Sequence, residues 1–179
     1  VVVNGKTIST RNIVIASGAR PFVPPIPGIS DIDYLTSDNL WELEALPRRL
    51  LVMGGGPIGC ELAQAFNRLG AQVILVDMMP RILPREDEDV SAFIRQCFVT
   101  EGIEVLTEHQ SIGFERRGDE TVALLETNGE KKVVAFDKVL VAVGRKANTA
   151  GMGLESIGIE LNPNGTVTVD DYLRTRYPN

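Results

Sequence analysis

Three glycines in a row, then a proline and a fourth glycine, separate an apolar run from a helix-like pattern in LLVMGGGPIGCELAQAF, residues 50–66. The run has strand length and no polar alternation, which is typical of a strand buried on both faces of a parallel sheet. Pro57 near the first helical turn and Gly70 at the far end bound a helix, and AQVILVD predicts a second buried strand. Residues 50–77 are therefore predicted to form one strand, helix, strand unit of about 30 residues, the building block of a Rossmann-like α/β fold.

The glycines of this unit follow the pattern G-x-G-x-x-G, at Gly54, Gly56 and Gly59. In dinucleotide-binding loops the first glycine allows a tight turn, the second lets the backbone approach a pyrophosphate, and the third allows close helix packing. Free N–H groups at the helix N-terminus then face the phosphates. Asp77 stands eighteen residues past Gly59, at the end of the next strand, where a carboxylate accepts hydrogen bonds from the adenosine ribose. The alternative is a sharp glycine turn in which Asp77 only caps the residues after its strand.

The residues around Asp77 favour NAD over NADP as the cofactor. A carboxylate repels the 2′-phosphate of NADP, and the next two residues, Met78 and Met79, offer no cation. Arg81 is the counter-argument, because its guanidinium could reach such a phosphate. The other interpretation packs Arg81 against Asp77 or against the carboxylates of residues 86–89.

The rest of the chain predicts further strands around this unit. EDEDVSAFIRQCFVTEG has acids in its first turn and apolar residues at helical spacing, and IEVL after it predicts a third strand. From Ser111 to Val143 the apolar period changes to two, with an Asn128-Gly129 turn, which predicts a small antiparallel meander and one more strand. Outside this region we expect short strands at Val1–Val3 and Asn12–Ala16, a proline-stiffened connector from Pro21 to Pro27, a short helix capped by Ser37 or Asp38, a helical piece near Leu154 and a strand near Val167.

Composition excludes several classes of function. A net charge of −6 with no cluster of Lys or Arg argues against a nucleic-acid surface. Two cysteines 37 positions apart and a single histidine exclude the common zinc spacings and a disulfide framework, so we expect no metal site and a reducing cytoplasm as the compartment. No apolar run reaches the roughly 18 residues that a membrane span needs. We therefore expect a partner that is a dinucleotide, neither nucleic acid nor membrane.

Several motifs, in the same order along the chain, resemble the flavoprotein disulfide reductases, the group of lipoamide dehydrogenase, glutathione reductase and mercuric reductase. IVIASGARPFVPPIPGI resembles the segment that leaves the FAD domain, with Ser17 in place of the usual threonine. GGGPIGCELAQAF resembles the NAD loop, PRILPREDED the stretch after the acidic strand end, and VLVAVGRKANT the segment that returns to the flavin domain. The resemblance implies a flanking segment at 1–47, a nicotinamide-binding domain at 48–144 and a return segment at 145–179.

The resemblance also implies roles for individual residues. The loop residues that would line the pyrophosphate and the nicotinamide ribose are Gly54, Gly55, Gly56, Pro57, Ile58 and Gly59. Glu61 takes the position of a glutamate near the nicotinamide carboxamide and the flavin, and its alternative is a solvated acid in the first helical turn. Gly144 would place backbone against the nicotinamide end, and Ser111 would touch the adenine side. Pro57 stands where glutathione reductase has a mobile tyrosine, which argues against that branch, and Ala147 replaces a usual proline.

As a whole, the resemblance implies an oxidoreductase that passes a hydride from NAD(P)H to FAD and then electrons to a disulfide or metal acceptor. The family's FAD motif, redox cysteine pair and dimerisation domain with its catalytic histidine have no counterpart in these residues. By itself the chain is expected to bind dinucleotide, to hold no FAD, to contain no catalytic residue and to turn nothing over. The intact enzyme is expected to be a homodimer through the domain that follows.

The two cysteines and the histidine are given structural interpretations. Cys60 and Cys97 are expected to be small core residues rather than a redox pair, and His109 an exposed loop residue. Two alternatives for the whole protein stay open: a separate module that reports NAD(H) to a partner, and a flavoenzyme with another acceptor, of the NADH oxidase or ferredoxin reductase type.

Overall fold

The computed structural model describes residues 1–177. The chain forms two compact units, Pro21–Gly144, and Val1–Arg20 together with the segment from Arg145 onward. Within the described residues the strands are β1 (Val2–Val3), β2 (Lys6–Thr7), β3 (Ala19–Pro21), β4 (Tyr34–Leu35), β5 (Arg49–Met53), β6 (Gln72–Val76), β7 (Glu104–Leu106), β8 (Gln110–Arg117), β9 (Glu120–Thr127), β10 (Glu130–Phe136), β11 (Lys138–Val141) and β12 (Arg145–Ala147). The helices are α1 (Pro57–Arg68) and α2 (Glu88–Thr100), with short 3₁₀ turns at Ile29–Asp31, Leu40–Glu42 and Glu155–Ile157.

A parallel five-stranded sheet in the order β4-β11-β5-β6-β7 forms the centre of the Pro21–Gly144 unit. Strand β5 is its middle strand, and alternate side chains of β5 point to opposite faces. Leu50 and Val52 pack in one hydrophobic cluster, while Leu51 and Met53 pack in another. Both faces of β5 are therefore buried, which is why its sequence shows no polar alternation.

The two faces of this sheet are covered by different structures. Helices α1 and α2 pack on one face, where Phe66 and Phe98 join the first cluster. The antiparallel meander β10-β9-β8 packs on the other face, where the rings of Phe114 and Phe136 meet edge to face with centroids 5.9 Å apart. The predicted fold class, a Rossmann-like parallel sheet with helices and a small antiparallel β-meander, is confirmed.

The hairpin at the start of the chain differs from the prediction. Strand β1 pairs with Lys6–Thr7, and the predicted strand Asn12–Ala16 is not formed. Asn4 and Gly5 both have positive φ, 48° and 76°, as a two-residue hairpin turn of type I′ requires. A turn this tight puts the pairing partner directly after it, so the later β-branched residues remain outside the ladder.

The predicted cap of the short helix is also wrong. The 3₁₀ turn Leu40–Glu42 has Asn39 as its N-cap residue, in place of Ser37 or Asp38, and Asn39 makes no side-chain cap hydrogen bond. The Asn39 side chain instead folds back, and its Oδ1 accepts the N–H of Thr36 at 2.6 Å. A local side chain to backbone bond has replaced the helix cap.

The second unit contains the β1-β2 hairpin, strand β12 and the first two residues of β3, and β3 forms a two-stranded ladder with β12. The strand predicted near Val167 is a single antiparallel bridge from Leu161 to Val167, and the helical piece predicted near Leu154 is the 3₁₀ turn that follows it. Leu154 and Ile159 are the buried apolar residues of this segment. In residues 1–177 no helix is long and apolar enough to cross a membrane.

Candidate functional site

The glycine loop lies where the order of the parallel sheet reverses. Strand β5 has β11 on one side and β6 on the other, and a crevice at the carboxyl ends of such strands is where open α/β sheets bind ligands. Residues Gly54–Gly59 follow β5, Asp77 follows β6, and Gly144 lies three residues past β11. Three of the predicted elements of the site thus reach the same edge of the sheet.

The first and last glycines of the motif are required by the fold itself. Gly54 has φ +105°, and a Cβ there would lie 2.4 Å from the carbonyl oxygen of Ala142. A Cβ on Gly59 would lie 1.8 Å from the carbonyl oxygen of Gly54. Any side chain at either position therefore collides with backbone, so these glycines are explained without a ligand.

Gly56, the middle glycine of the motif, is different. Its φ of −76° and ψ of −179° are extended angles that any residue adopts. A Cβ built on Gly56 meets no atom within 4 Å. The fold has no need for a glycine here, and the space in front of the loop is free to admit a ligand close to the backbone.

The backbone donors of the loop point to the same space. The first helical hydrogen bond of α1 runs from the Cys60 N–H to the Gly56 carbonyl, at 2.9 Å. Pro57 has no N–H, and the N–H groups of Gly56, Ile58 and Gly59 have no acceptor among residues 1–177. These three donors stand at the positive end of a 12-residue helix, the arrangement that binds phosphate in other proteins.

Asp77 is tied to the glycine loop and also caps its own strand. Its Oδ2 accepts the Gly55 N–H at 2.5 Å, and its Oδ1 accepts the Met79 N–H at 2.7 Å. The two interpretations of Asp77 are thus compatible with each other. A carboxylate has about four acceptor positions, so the half-buried Asp77 retains positions for further donors such as ribose hydroxyls.

Arg81 is held within its own loop. Its Nη1 donates to the Glu86 carbonyl at 3.0 Å and its Nη2 to the Pro84 carbonyl at 3.2 Å. The expected partners of the packed interpretation were carboxylates, whereas the observed partners are backbone oxygens. Among residues 1–177, Arg81 forms no ion pair with a carboxylate.

The remaining predicted positions are Glu61 on α1 and Ser111 on β8. Glu61 is exposed and is the fifth residue of α1, so it belongs to the second helical turn rather than the first. Ser111 is half-buried in β8 opposite Leu125, beside a bulge.

His109 lies two residues before Ser111. Its backbone N–H donates to the Asp77 carbonyl at 3.0 Å, and its Nδ1 lies 2.6 Å from the Thr107 carbonyl oxygen. His109 therefore lies in a loop, as predicted, but the prediction that it is exposed is wrong, because it is half-buried.

Sequence patterns did not indicate the contacts that hold Gly55. The Gly55 carbonyl accepts the Leu83 N–H at 2.6 Å and the Cys60 thiol at 3.3 Å. Leu83 has φ 48°, a left-handed conformation that is uncommon for leucine, so composition gives no cue to it. A signal for Cys60 was available, since it directly follows the loop and lies on the buried face of an amphipathic helix.

The two cysteines have different environments. Cys60 is buried in the core, as predicted, and both cysteines are free thiols. Burial, with smaller contributions from the carboxylates of Asp77 and Glu61, raises the pKa of the Cys60 thiol to about 12. Cys60 is therefore a protonated thiol at neutral pH rather than a nucleophile. Cys97 is only half-buried, so it is less of a core residue than predicted.

Comparison with known proteins identifies relatives along the whole chain. The sequence model of the family described as "Pyridine nucleotide-disulphide oxidoreductase" matches residues 1–179. Mercuric reductase of Staphylococcus aureus is 39% identical over 173 residues, which cover 97% of this chain and 32% of that protein. Dihydrolipoyl dehydrogenase of Thermus scotoductus is 36% identical over 185 residues, which cover 98% of this chain and 39% of that protein. The chain spans about a third of the length of the curated relatives it matches.

Solved structures of flavoenzymes superpose on the chain. The Cu(II) complex of the HOCl-induced flavoprotein disulfide reductase RclA from Escherichia coli has a TM-score of 0.79 and 31% identity, covering 90% of this chain and 36% of that one. The water-forming NADH oxidase from Lactobacillus brevis, bound to NADH, has a TM-score of 0.76 and 29% identity, again covering 90% and 36%. The resemblance deduced from the sequence motifs is thus confirmed by both sequence and structure.

Proposed function

This chain belongs to the pyridine nucleotide-disulphide oxidoreductase family, and from that membership we propose that its Pro21–Gly144 unit binds NAD(H) at the glycine loop. The family consists of oxidoreductases that use FAD and nicotinamide dinucleotides. The observation that carries the proposal is Gly56, the one glycine of the motif that the fold does not need. A bound pyrophosphate supplies the missing reason, since only a residue without Cβ lets phosphate oxygens approach the backbone there.

The groups around Gly56 fit the two ends of such a ligand. We assign the free N–H groups of Gly56, Ile58 and Gly59 to the pyrophosphate oxygens. We assign the remaining acceptor positions of Asp77 to the hydroxyls of the adenosine ribose. A negative charge at Asp77 repels a 2′-phosphate, which supports NAD over NADP. Arg81 is the residue most able to weaken that preference, since its partners in the described part of the chain are two backbone carbonyls that it can leave.

The other predicted residues are proposed to surround the nicotinamide and the adenine. Glu61, exposed in the second turn of α1, would approach the nicotinamide carboxamide, and Gly144 would present backbone to the same end. Ser111, at the start of β8, would border the adenine. Bound nicotinamide supplies or accepts the hydride, while these residues orient the dinucleotide and hold it against the sheet edge.

For the whole protein we propose an FAD-dependent oxidoreductase. It would pass a hydride between NAD(H) and FAD, and electrons onward to a disulfide or a metal ion, the classes of acceptor that the names of the relatives suggest. The chain has a single G-x-G-x-x-G loop, so we assign FAD to other parts of such a protein and expect these 179 residues alone to be inactive. We further propose a homodimer in a reducing cytoplasm, which suits two free thiols.

The direct test is calorimetric titration of the purified chain with NADH and NADPH in parallel. We expect saturable binding of NADH and weaker binding of NADPH. Cys97→Ala is the matched control, because it changes a residue on α2 that has no part in the proposed site. Failure of both cofactors to bind to a folded chain contradicts the proposed function, and a preference for NADPH contradicts the role given to Asp77.

A further inference from the structure

The peptide group that joins Gly55 to Gly56 is hydrogen-bonded at its carbonyl oxygen but not at its N–H. Its carbonyl oxygen accepts the Leu83 N–H and the Cys60 thiol. In a trans peptide the N–H points away from the C=O, and none of the described peptide bonds is cis. The Gly56 N–H therefore points away from Leu83 and Cys60, and it has no acceptor among residues 1–177.

Both donors are held rigidly by the core. Cys60 is 5% exposed and belongs to the cluster that packs α1 on the sheet. Its high pKa keeps the proton on sulfur at neutral pH, so the thiol remains able to donate. Leu83 follows Ile82, which is fully buried and whose carbonyl accepts the buried Ser91 hydroxyl at 2.6 Å. Packing thus fixes both donors, one from α1 and one from the segment that leads into α2.

We propose that Cys60 is a positioning residue for dinucleotide binding, whose thiol, together with the Leu83 N–H, holds the Gly55–Gly56 peptide so that the Gly56 N–H stays aimed at the pyrophosphate. This inference rests on the proposed function. Hydrogen bonds in series polarise one another, so donors on the carbonyl also make the Gly56 N–H a better donor. A thiol is a weak donor, and Leu83 remains in place without it, so the effect of Cys60 is modest.

The test compares Cys60→Ala, which removes the donor, with Cys60→Ser, which keeps one. Calorimetry measures the Kd for NADH, and NMR measures the shift of the Gly56 amide proton when NADH is added to labelled protein. We expect Cys60→Ala to weaken NADH binding about threefold, within the two- to tenfold range of one hydrogen bond. Its Gly56 amide shift should shrink in parallel, and Cys60→Ser should restore both values to within about twofold of wild type.

Two control variants separate positioning from simple destabilisation. Val73→Ala removes buried volume from the same cluster, on β6, and leaves every donor of the loop in place. Cys97→Ala also replaces a cysteine with alanine, but at a position outside this hydrophobic cluster. Supporting evidence is a loss of affinity in Cys60→Ala that Val73→Ala and Cys97→Ala do not share.

Equal losses in Cys60→Ala and Val73→Ala, or an unchanged Kd and amide shift in Cys60→Ala, overturn the inference while the proposed function stands. Failure of the wild-type chain to bind NADH is a different result, because it removes the proposed function and this inference with it.

Discussion

At its amino end strand β5 starts in a closed cluster of ion pairs, whereas at its carboxyl end it runs into a loop with unused donors. Arg49 donates its N–H to Asp137 Oδ2 at 2.9 Å, and its guanidinium contacts Asp137 at 2.8 Å and Glu120 at 2.7 Å. At the other end, the N–H groups of Gly56, Ile58 and Gly59 find no acceptor in the described part of the chain. One end satisfies its polar groups internally, and the other leaves them for a ligand.

The difference separates residues that act on stability from residues that act on binding. Groups bonded to one another at the amino end have nothing to offer a ligand, so changing them should lower stability alone. Free groups at the carboxyl end add nothing to the stability of the empty chain, so blocking them should lower binding much more than stability. Gly54 and Gly59 belong to both classes, because the loop cannot form without them.

The largest expected effect is that of Gly59→Ala, which should damage the loop. It should lower both stability and binding, so that the difference between the two ends of β5 disappears. The new Cβ would lie 1.8 Å from the Gly54 carbonyl oxygen, so the loop or the helix must move. We expect a loss of about 3 kcal/mol in the free energy of unfolding, or roughly 10 °C in Tm, and loss of NADH binding with it. Thermal unfolding followed by circular dichroism measures the first effect. A variant with wild-type Tm would show that this close approach is not required.

Gly56→Ala should separate binding from stability more clearly, because it weakens binding and costs less stability than Gly59→Ala. The methyl group meets no atom of the chain and costs no more than about 1 kcal/mol as a poorer helix cap. It occupies the space in front of the free N–H groups, and displacement of the pyrophosphate should raise the Kd for NADH about 30-fold.

Gly56→Ser is the control for that experiment. Serine is a good helix cap, so Tm should return to the wild-type value, while the side chain still fills the same space and affinity stays low. Wild-type NADH affinity in either variant would exclude a ligand close to Gly56.

Asp77→Ala should have the next largest effect, and it should depend on the cofactor. Removal of the carboxylate deletes the proposed ribose acceptor and also the hydrogen bonds to Gly55 and Met79. We expect NADH to bind about tenfold more weakly and NADPH to lose less, since a repulsion of its 2′-phosphate disappears as well. Parallel titrations with both cofactors measure the ratio. Equal losses for NADH and NADPH would mean that Asp77 orders the loop and does not distinguish the ribose.

The parts of the molecule that sequence could predict are those set by short-range patterns. The unit β5, α1, β6 was predictable because a buried strand, a glycine turn and an amphipathic helix each leave a local signal. The two-residue turn at Asn4 and Gly5 also leaves a local signal. The β-branched residues of 12–16 nevertheless predicted a strand there, whereas the strand that pairs with β1 is Lys6–Thr7.

Contacts between distant residues left no such signal. The hydrogen bond from Leu83 to Gly55 needs a left-handed leucine, which propensity disfavours, and the ion pair of Arg49 joins residues 88 positions apart in the chain. Both depend on how the sheet places its neighbours, so they were visible only in the folded structure. The motif indicated the glycine loop itself, whereas the residues that hold the loop in place were not predicted.

Asp137→Asn tests the amino end of β5. The carboxylate is about a third exposed, at 37%, so its ion pair with Arg49 is worth only about 1 kcal/mol in unfolding experiments at pH 7. We expect that loss of stability with a Kd for NADH within about twofold of wild type, measured by urea unfolding and calorimetry on the same samples. A clear loss of affinity would show that the two ends of β5 are coupled through the strand.

The smallest expected effect is the pH dependence of the difference in stability between wild type and Asp137→Asn. Burial alone would raise the pKa of Asp137, but hydrogen bonds from the side chain and N–H of Arg49 outweigh it and hold the pKa below its ordinary value. A carboxyl whose pKa is lowered by folding stabilises the protein above its unfolded pKa of about 3.9, and this contribution is lost as the pH falls through the folded value. The stability gap between wild type and Asp137→Asn should therefore be constant from pH 7 to about 5 and shrink below about pH 4. The control is Asp119→Asn, an exposed change in the turn before Glu120, which should show no such stability gap. A stability gap for Asp137→Asn that persists to pH 2 would mean that packing rather than charge makes the difference.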